Sequence, residues 1–202
     1  MGDDGSLSAV ATALPLEHEW VWYAHYPCAS NTYSKAYVEV GRFGTVADFW
    51  RHYNAIPSVD FIHSGGVLVN KQPVVAYSIF RSDIRPEWED PRNATGSEWG
   101  CRDVLDAATF HTIWDAYLLG AVGNLIPHCV GVRAINKSNR NRMLHKLEVW
   151  MDEVDAERTS ATRRVLQDLA PKVPKLVFIP HQIKQAQATE YQQRQRKRRH
   201  DA

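Results

Sequence analysis

The residues best equipped for chemistry lie in Arg85-Pro86-Glu87-Trp88-Glu89-Asp90, where a tryptophan stands among carboxylates just after a proline. A flat indole with an adjacent carboxylate can stack a nucleobase and accept hydrogen bonds from its edge. Guanine suits that pair, because its neighbouring N–H donors match a two-oxygen acceptor. A second aromatic on the opposite side of the base completes a sandwich. The charged neighbours Arg85, Glu87, Glu89 and Asp90 make a buried place for Trp88 costly, which favours a role in binding over one in the core.

Other chemistries find less support. The nine histidines show no metal-ligand spacing, and the sequence lacks His-Glu-x-x-His, Gly-x-Ser-x-Gly, a phosphate-binding Gly-Lys-Ser/Thr loop and a dinucleotide fingerprint. No catalytic residue, metal or cofactor is therefore expected. Acids beside aromatic platforms also occur in carbohydrate-active enzymes with paired carboxylates, an alternative that predicts sugar binding and turnover.

The elements that must position Trp88 follow from composition and pattern. A length of 202 residues with 44% hydrophobic content suits one domain with a sizeable core. We expect a disordered segment over 1–13, an α+β domain over 14–183 and a basic, flexible tail over 184–202. No apolar run approaches the ~20 residues of a membrane helix, and the N-terminus lacks the basic-then-apolar order of a signal peptide. The widely spaced Cys28, Cys101 and Cys129 read as reduced thiols, which places the chain in the cytoplasm. The net charge of +1 hides an asymmetry, with +4 over 184–202 and −3 over the remainder. A near-neutral body argues against sequence-independent DNA binding. The tail either adds salt-sensitive attraction to phosphates or serves solubility and targeting.

Along the chain, Trp20 to Tyr26, Lys35 to Arg42 and Val74 to Phe80 read as strands, with a weaker one over 99–105. Thr45-Val46-Ala47-Asp48 has capping-box spacing and opens a helix to about Ala55. Asp106 or Thr109 caps a helix with Phe110, Ile113, Trp114, Tyr117, Leu118 and Ala121 at helical period. His128 to Asn136 and Met143 to Asp152 form a strand pair, Asp155 caps a helix to about Leu169, and Pro174 to Ile179 makes a last strand. Strands interrupted by three separated helices predict an antiparallel α+β domain with the helices on one sheet face.

Taken in order, these residues resemble the family of the cap-binding eukaryotic translation initiation factor 4E, over roughly Pro15 to His181. The anchors are Pro15-Leu16-x-x-x-Trp20, Phe43-x-Thr45-Val46-x-Asp48-Phe49-Trp50-x-x-Tyr53-Asn54, Tyr77-Ser78-x-Phe80, Ile84-x-Pro86-x-Trp88-Glu89-Asp90, Trp99, Trp114, Gly131, Trp150 and Pro174-Lys175. The resemblance implies a curved antiparallel sheet, about three helices on its convex face, and a concave face that binds the 7-methylguanosine cap of messenger RNA. Methylation at N7 makes the base cationic, so two aromatic plates gain cation–π attraction beyond stacking.

Carried over residue by residue, Trp88 is one stacking plate and Glu89 the guanine-edge carboxylate. Tyr33 falls where the family usually has the other plate, a tryptophan, with Tyr26 and Tyr37 as second choices. Trp150 matches the contact to the N7-methyl group. Lys137 and Lys146 match two phosphate contacts, and Arg140 and Arg142, in the longer segment between them, are candidates for the same role. Glu98 stands where the family has a basic residue. On the helical face, Pro15, Val46 and Trp50 occupy the positions that bind partner helices, either a scaffold factor of the 4G type or repressors. Leu14 and Asp115 replace a histidine and a leucine there, which implies altered partner specificity. The resemblance thus implies a monomeric, non-enzymatic initiation factor without membrane attachment. The alternative is a cap-binding repressor or specialised isoform that does not recruit the standard scaffold.

Overall fold

The computed structural model describes residues 14–27, 36–59, 66–103, 105–138, 144–152 and 154–200. Seven strands form one antiparallel sheet: β1 (Pro15–His25), β2 (Tyr37–Thr45), β5 (Ala76–Arg81), β6 (Ser97–Asp103), β7 (Cys129–Asn136), β8 (His145–Met151) and β9 (Val177–Pro180). Their order across the sheet is β2-β1-β5-β7-β8-β6-β9, and a small hairpin pairs β3 (Leu68–Val69) with β4 (Gln72–Pro73). The helices are α1 (Val46–Ala55), α2 (Pro91–Ala94), α3 (Ala107–Val122), α4 (Ala156–Leu169) and α5 (His181–His200).

Local chemistry starts the three expected helices where the sequence predicts. The Thr45 hydroxyl accepts from the Asp48 amide at 3.1 Å and donates to the Asp48 carboxylate at 2.8 Å. Asp106, not Thr109, caps α3, accepting from the Thr109 amide at 2.9 Å. Asp155 accepts from the Glu157 and Arg158 amides, both at 3.0 Å. Each such cap stabilises a helix start by ~1 kcal/mol.

Strand alternation then divides the buried residues into two sets. Trp20, Trp22, Ala24, Tyr77, Ile79, Leu147, Val149 and Met151 face α1, α3 and α4, joining Phe49, Phe110, Trp114, Tyr117 and Leu166 in the main core. Val21, Tyr23, Phe80, Val130 and Trp150 form a second, smaller cluster, with Ile84 and the half-buried Tyr37 and Trp88. A bulge between Cys129 and Gly131 switches the alternation, so that Val130 belongs to the small cluster and Val132 to the main core.

Across the expected boundary at residue 184, the chain is helical from His181 to His200, and the first turn of α5 is seated on the small-cluster face. No helix among the described residues is long and apolar enough to cross a membrane.

Candidate functional site

The Trp88 segment leaves the end of β5 as a loop held by its own side chains. Asp90 caps the short α2, accepting from the Arg92 amide at 3.0 Å, and its other oxygen takes the Arg85 amide at 3.1 Å and the Arg85 Nε at 3.3 Å. The buried Asn93 amide donates to the carbonyls of Arg85 and Glu87, both at 2.8 Å. Glu87 is buried and accepts from the Tyr37 hydroxyl at 2.5 Å, fifty residues away. Burial, then that bond to Glu87, raises the Tyr37 pKa above the ordinary phenol value. Glu87 and Asp90 were expected to keep this loop at the surface, but hydrogen bonds offset their desolvation instead. Between them, Trp88 is half-buried and Glu89 exposed. Glu89 hydrogen-bonds to none of the described residues, so its carboxylate is uncommitted.

The sheet supplies what lies beneath. Val21, Phe80, Gly131, Trp150, Glu98 and Ile179 are successive cross-strand partners, and Tyr23, Ser78, Arg133, Glu148 and Gly100 form the adjacent row. A Cβ at Gly131 would run into the Phe80 ring, so glycine lets Phe80 stand edge-on to Trp150, with centroids 5.2 Å apart at 87°. Trp150 also lies nearly parallel to Trp88, at 6.3 Å and 12°, and meets the His181 ring at 4.5 Å. Its indole N–H donates to Glu148 at 3.0 Å.

The buried carboxylates of Glu98 and Glu148 and the part-buried Lys146 and Lys184 lie beside these rings. Lys146 binds Glu98 at 2.9 Å and also Glu148. Lys184, from α5, donates to Glu98 and approaches Glu148 to 3.8 Å. Burial disfavours the charge on Glu148, but Lys146, Arg133 and Lys184 overcome it and hold the carboxyl well below the usual range. Glu98 goes the other way: burial and the repulsion of Glu148 raise its pKa despite the two lysines. Burial would lower the Lys146 pKa, yet the two carboxylates raise it. The set balances two ammoniums against two carboxylates, with Arg133 4.0 Å from Glu148 at its edge.

The expected site residues fare differently. Trp88 and Glu89 share the loop as predicted. Tyr33, Arg140 and Arg142 lie outside the described residues. Of the second-choice plates, Tyr37 packs with the small cluster beside Trp88, whereas Tyr26 packs against the main core. Lys137 is exposed at the end of β7. Lys146, the other lysine matched to a phosphate contact, binds the Glu98 and Glu148 carboxylates. Trp150, expected to touch a ligand's methyl group, is only 1% exposed beneath Trp88, Phe80 and His181. Two features escaped the sequence reading, the Tyr37–Glu87 bond and the anchoring of α5. Both join residues distant in sequence through polar side chains, which no periodicity signals.

On the helical face, Pro15 pairs across the sheet with Thr45, and the Val46 amide bonds the Leu14 carbonyl at 3.0 Å. This brings Pro15 and Val46 together, with Trp50 one helical turn on. Trp50 is 43% exposed and rests edge-on against Phe49 and Tyr53. Asp115 accepts from the Tyr53 hydroxyl at 2.9 Å and pairs with His111 at 3.2 Å, so it ties α1 to α3.

The sequence matches the family model described as eukaryotic initiation factor 4E over residues 15–199. Translation initiation factor 4E-2 of Schizosaccharomyces pombe is 28% identical over 138 residues, covering 67% of this chain and 53% of that protein. Initiation factor 4E of Eremothecium gossypii is 33% identical over 115 residues, covering 55% and 50%. The chain thus spans about half the length of these relatives. Among solved structures, Caenorhabditis elegans eIF4E-3 in complex with the 4E-binding protein Mextli superposes with a TM-score of 0.69 at 21% identity, over 85% of this chain and 95% of that one. Ascaris suum eIF4E-3 in complex with an m2,2,7G cap superposes at 0.68, also with 21% identity, over 83% and 91%. At that identity the superpositions establish the shared fold. The family model covers nearly the whole domain, and the chain belongs to the eukaryotic initiation factor 4E family.

Proposed function

We propose that this protein binds the 7-methylguanosine cap of messenger RNA and acts in translation initiation in the cytoplasm, as a non-enzymatic adaptor with a protein partner on its helical face. The observation that carries the reading is the Trp88 loop, where a half-buried indole is fixed by Asn93, Asp90 and Glu87 beside the uncommitted carboxylate of Glu89. A stacked base gains ~1–3 kcal/mol from such a ring. A cationic base gains more through the ring quadrupole, and Glu89 is suited to the guanine N1–H and N2–H₂ edge. Tyr33 remains our candidate for the second plate, and Lys137, Arg140, Arg142 and Lys146 for the phosphates. Trp150 stays the methyl contact, once uncovered.

The Pro15–Val46–Trp50 patch offers an exposed aromatic to an amphipathic partner helix, in the manner of other helix-in-groove contacts. Because Asp115 is engaged by Tyr53 and His111, it is a half-screened charge on this face, and it favours a partner that places a polar residue opposite. A pull-down separates an initiating factor, which retains a scaffold subunit, from a repressor, which does not.

The test of the cap reading is retention on 7-methylguanosine resin with elution by the methylated triphosphate but not by GTP. Glu89→Ala should lose ~1–3 kcal/mol of affinity, as when a bidentate base contact is removed. Equal retention of Glu89→Ala would refute the base-edge assignment.

A further inference from the structure

We propose that α5 is a built-in lid on the Trp88 site, and that Lys184 competes with a methylated base for the Trp88 ring. The inference rests on the cap-binding reading above. His181, Lys184 and Gln185 stand at i, i+3 and i+4, hence on one face of the helix, and all three touch the site. His181 lies against Trp150 with ring centroids 4.5 Å apart, and its Nδ1 is 2.7 Å from the Asn93 carbonyl behind the Trp88 loop. The Lys184 ammonium sits 5.2 Å from the Trp88 ring centre while bound to Glu98. The Gln185 amide donates to the Trp88 carbonyl at 2.5 Å.

This contact takes over the interaction that distinguishes a cationic base from a neutral one. A cation within about 6 Å of an indole centroid uses the ring's negative face, so the bound lysine and an incoming N7-methylated base draw on the same π-electrons. The lid also conceals Trp150. Its docking chemistry is polar, with Lys184 bound to Glu98 and the Gln185 amide to the Trp88 carbonyl. Such contacts can be exchanged for contacts to water or ligand at little net cost, which lets a ligand open them. Binding therefore consists of displacing Lys184 and its helical turn and placing the base on Trp88.

The experiment titrates 7-methylguanosine triphosphate, by calorimetry, into the full chain and into two variants. Lys184→Gln removes the competing cation. The double variant Lys184→Gln/Glu98→Gln removes it while keeping the buried charges balanced, in case the single change disturbs folding. Both should bind about tenfold more tightly than the wild type, the scale of a partly desolvated cation–π contact. In parallel, saturating nucleotide should speed hydrogen exchange of the first turns of α5 in the wild type. Unchanged or weaker binding by both variants, or α5 amides indifferent to the nucleotide, would overturn the lid alone. If neither wild type nor variant binds the methylated nucleotide, cap binding falls and the lid with it.

Discussion

The two faces of the sheet are built from different materials. Under α1, α3 and α4 the contacts are mainly hydrocarbon and aromatic, with Trp22 set among Phe43, Tyr53 and Trp114 at centroid distances of 6.3–6.4 Å. On the other face a small aromatic cluster adjoins two buried carboxylates, two part-buried lysines and a helix docked through histidine, lysine and glutamine. The first face is a folding core, for which burial of area suffices. The second holds aromatic rings and charges in place at a cost in desolvation, a construction that suits exchange of one ligand for another. Fold stability thus resides mainly on the helical side of the sheet, and the proposed base site lies on the other.

Perturbing each face in turn sharpens the contrast. Trp22→Ala should have the largest effect, destabilising the chain by ~3–5 kcal/mol in denaturant unfolding through lost burial and a cavity. A loss below 1 kcal/mol would mean that the helical face is not the folding core.

Acid should act through the other face. Burial holds the His181 pKa at about 4 against an ordinary 6.5, so as pH falls the unfolded chain takes up this proton first. The contribution is intact above pH 6.5 and is lost as the pH falls from 6.5 to 4. The span corresponds to ~3 kcal/mol. Burial lowers the His25 pKa in the same direction, so His181→Phe should flatten this slope without abolishing it. An unchanged slope would remove His181 from the account. Glu148, depressed below the usual carboxylate range, adds its own loss at lower pH.

Asn93→Ala should come next, removing the side-chain donor from the Arg85 and Glu87 carbonyls, which keep one backbone donor each, at a cost of ~0.5–1.5 kcal/mol per hydrogen bond lost. It should also weaken nucleotide binding by loosening Trp88, and a variant with full affinity would show that the loop needs no such support. Trp50→Ala should move stability least, by ~0.5 kcal/mol or less as an exposed substitution, yet abolish capture of the partner helix. A large unfolding effect would reassign Trp50 to the core.

The helical face was legible in the sequence. Thr45 with Asp48, Asp106 and Asp155 announce the helix starts, and the apolar period from Phe110 to Ala121 identifies the buried side of α3. The Trp88–Glu89 loop stands out through its motif, and it holds a half-buried indole beside an exposed carboxylate. The rest was not legible, for a physical reason. α5 is rich in Gln, Arg and Lys and docks by individual polar contacts, so there is no apolar stripe to detect. Lys146 looks the same in sequence whether it meets phosphate or carboxylate; Glu148 follows it two residues on along the same strand, but only the register of the neighbouring strand brings Glu98 to it.

Cap recognition itself is tested most directly by tryptophan fluorescence of the full chain, titrated with 7-methylguanosine triphosphate and, separately, with GTP. The account predicts saturable quenching by the methylated nucleotide and at least tenfold weaker response to GTP, because only the cationic base gains cation–π attraction from Trp88. Equal quenching by both nucleotides, or none by either, would contradict it.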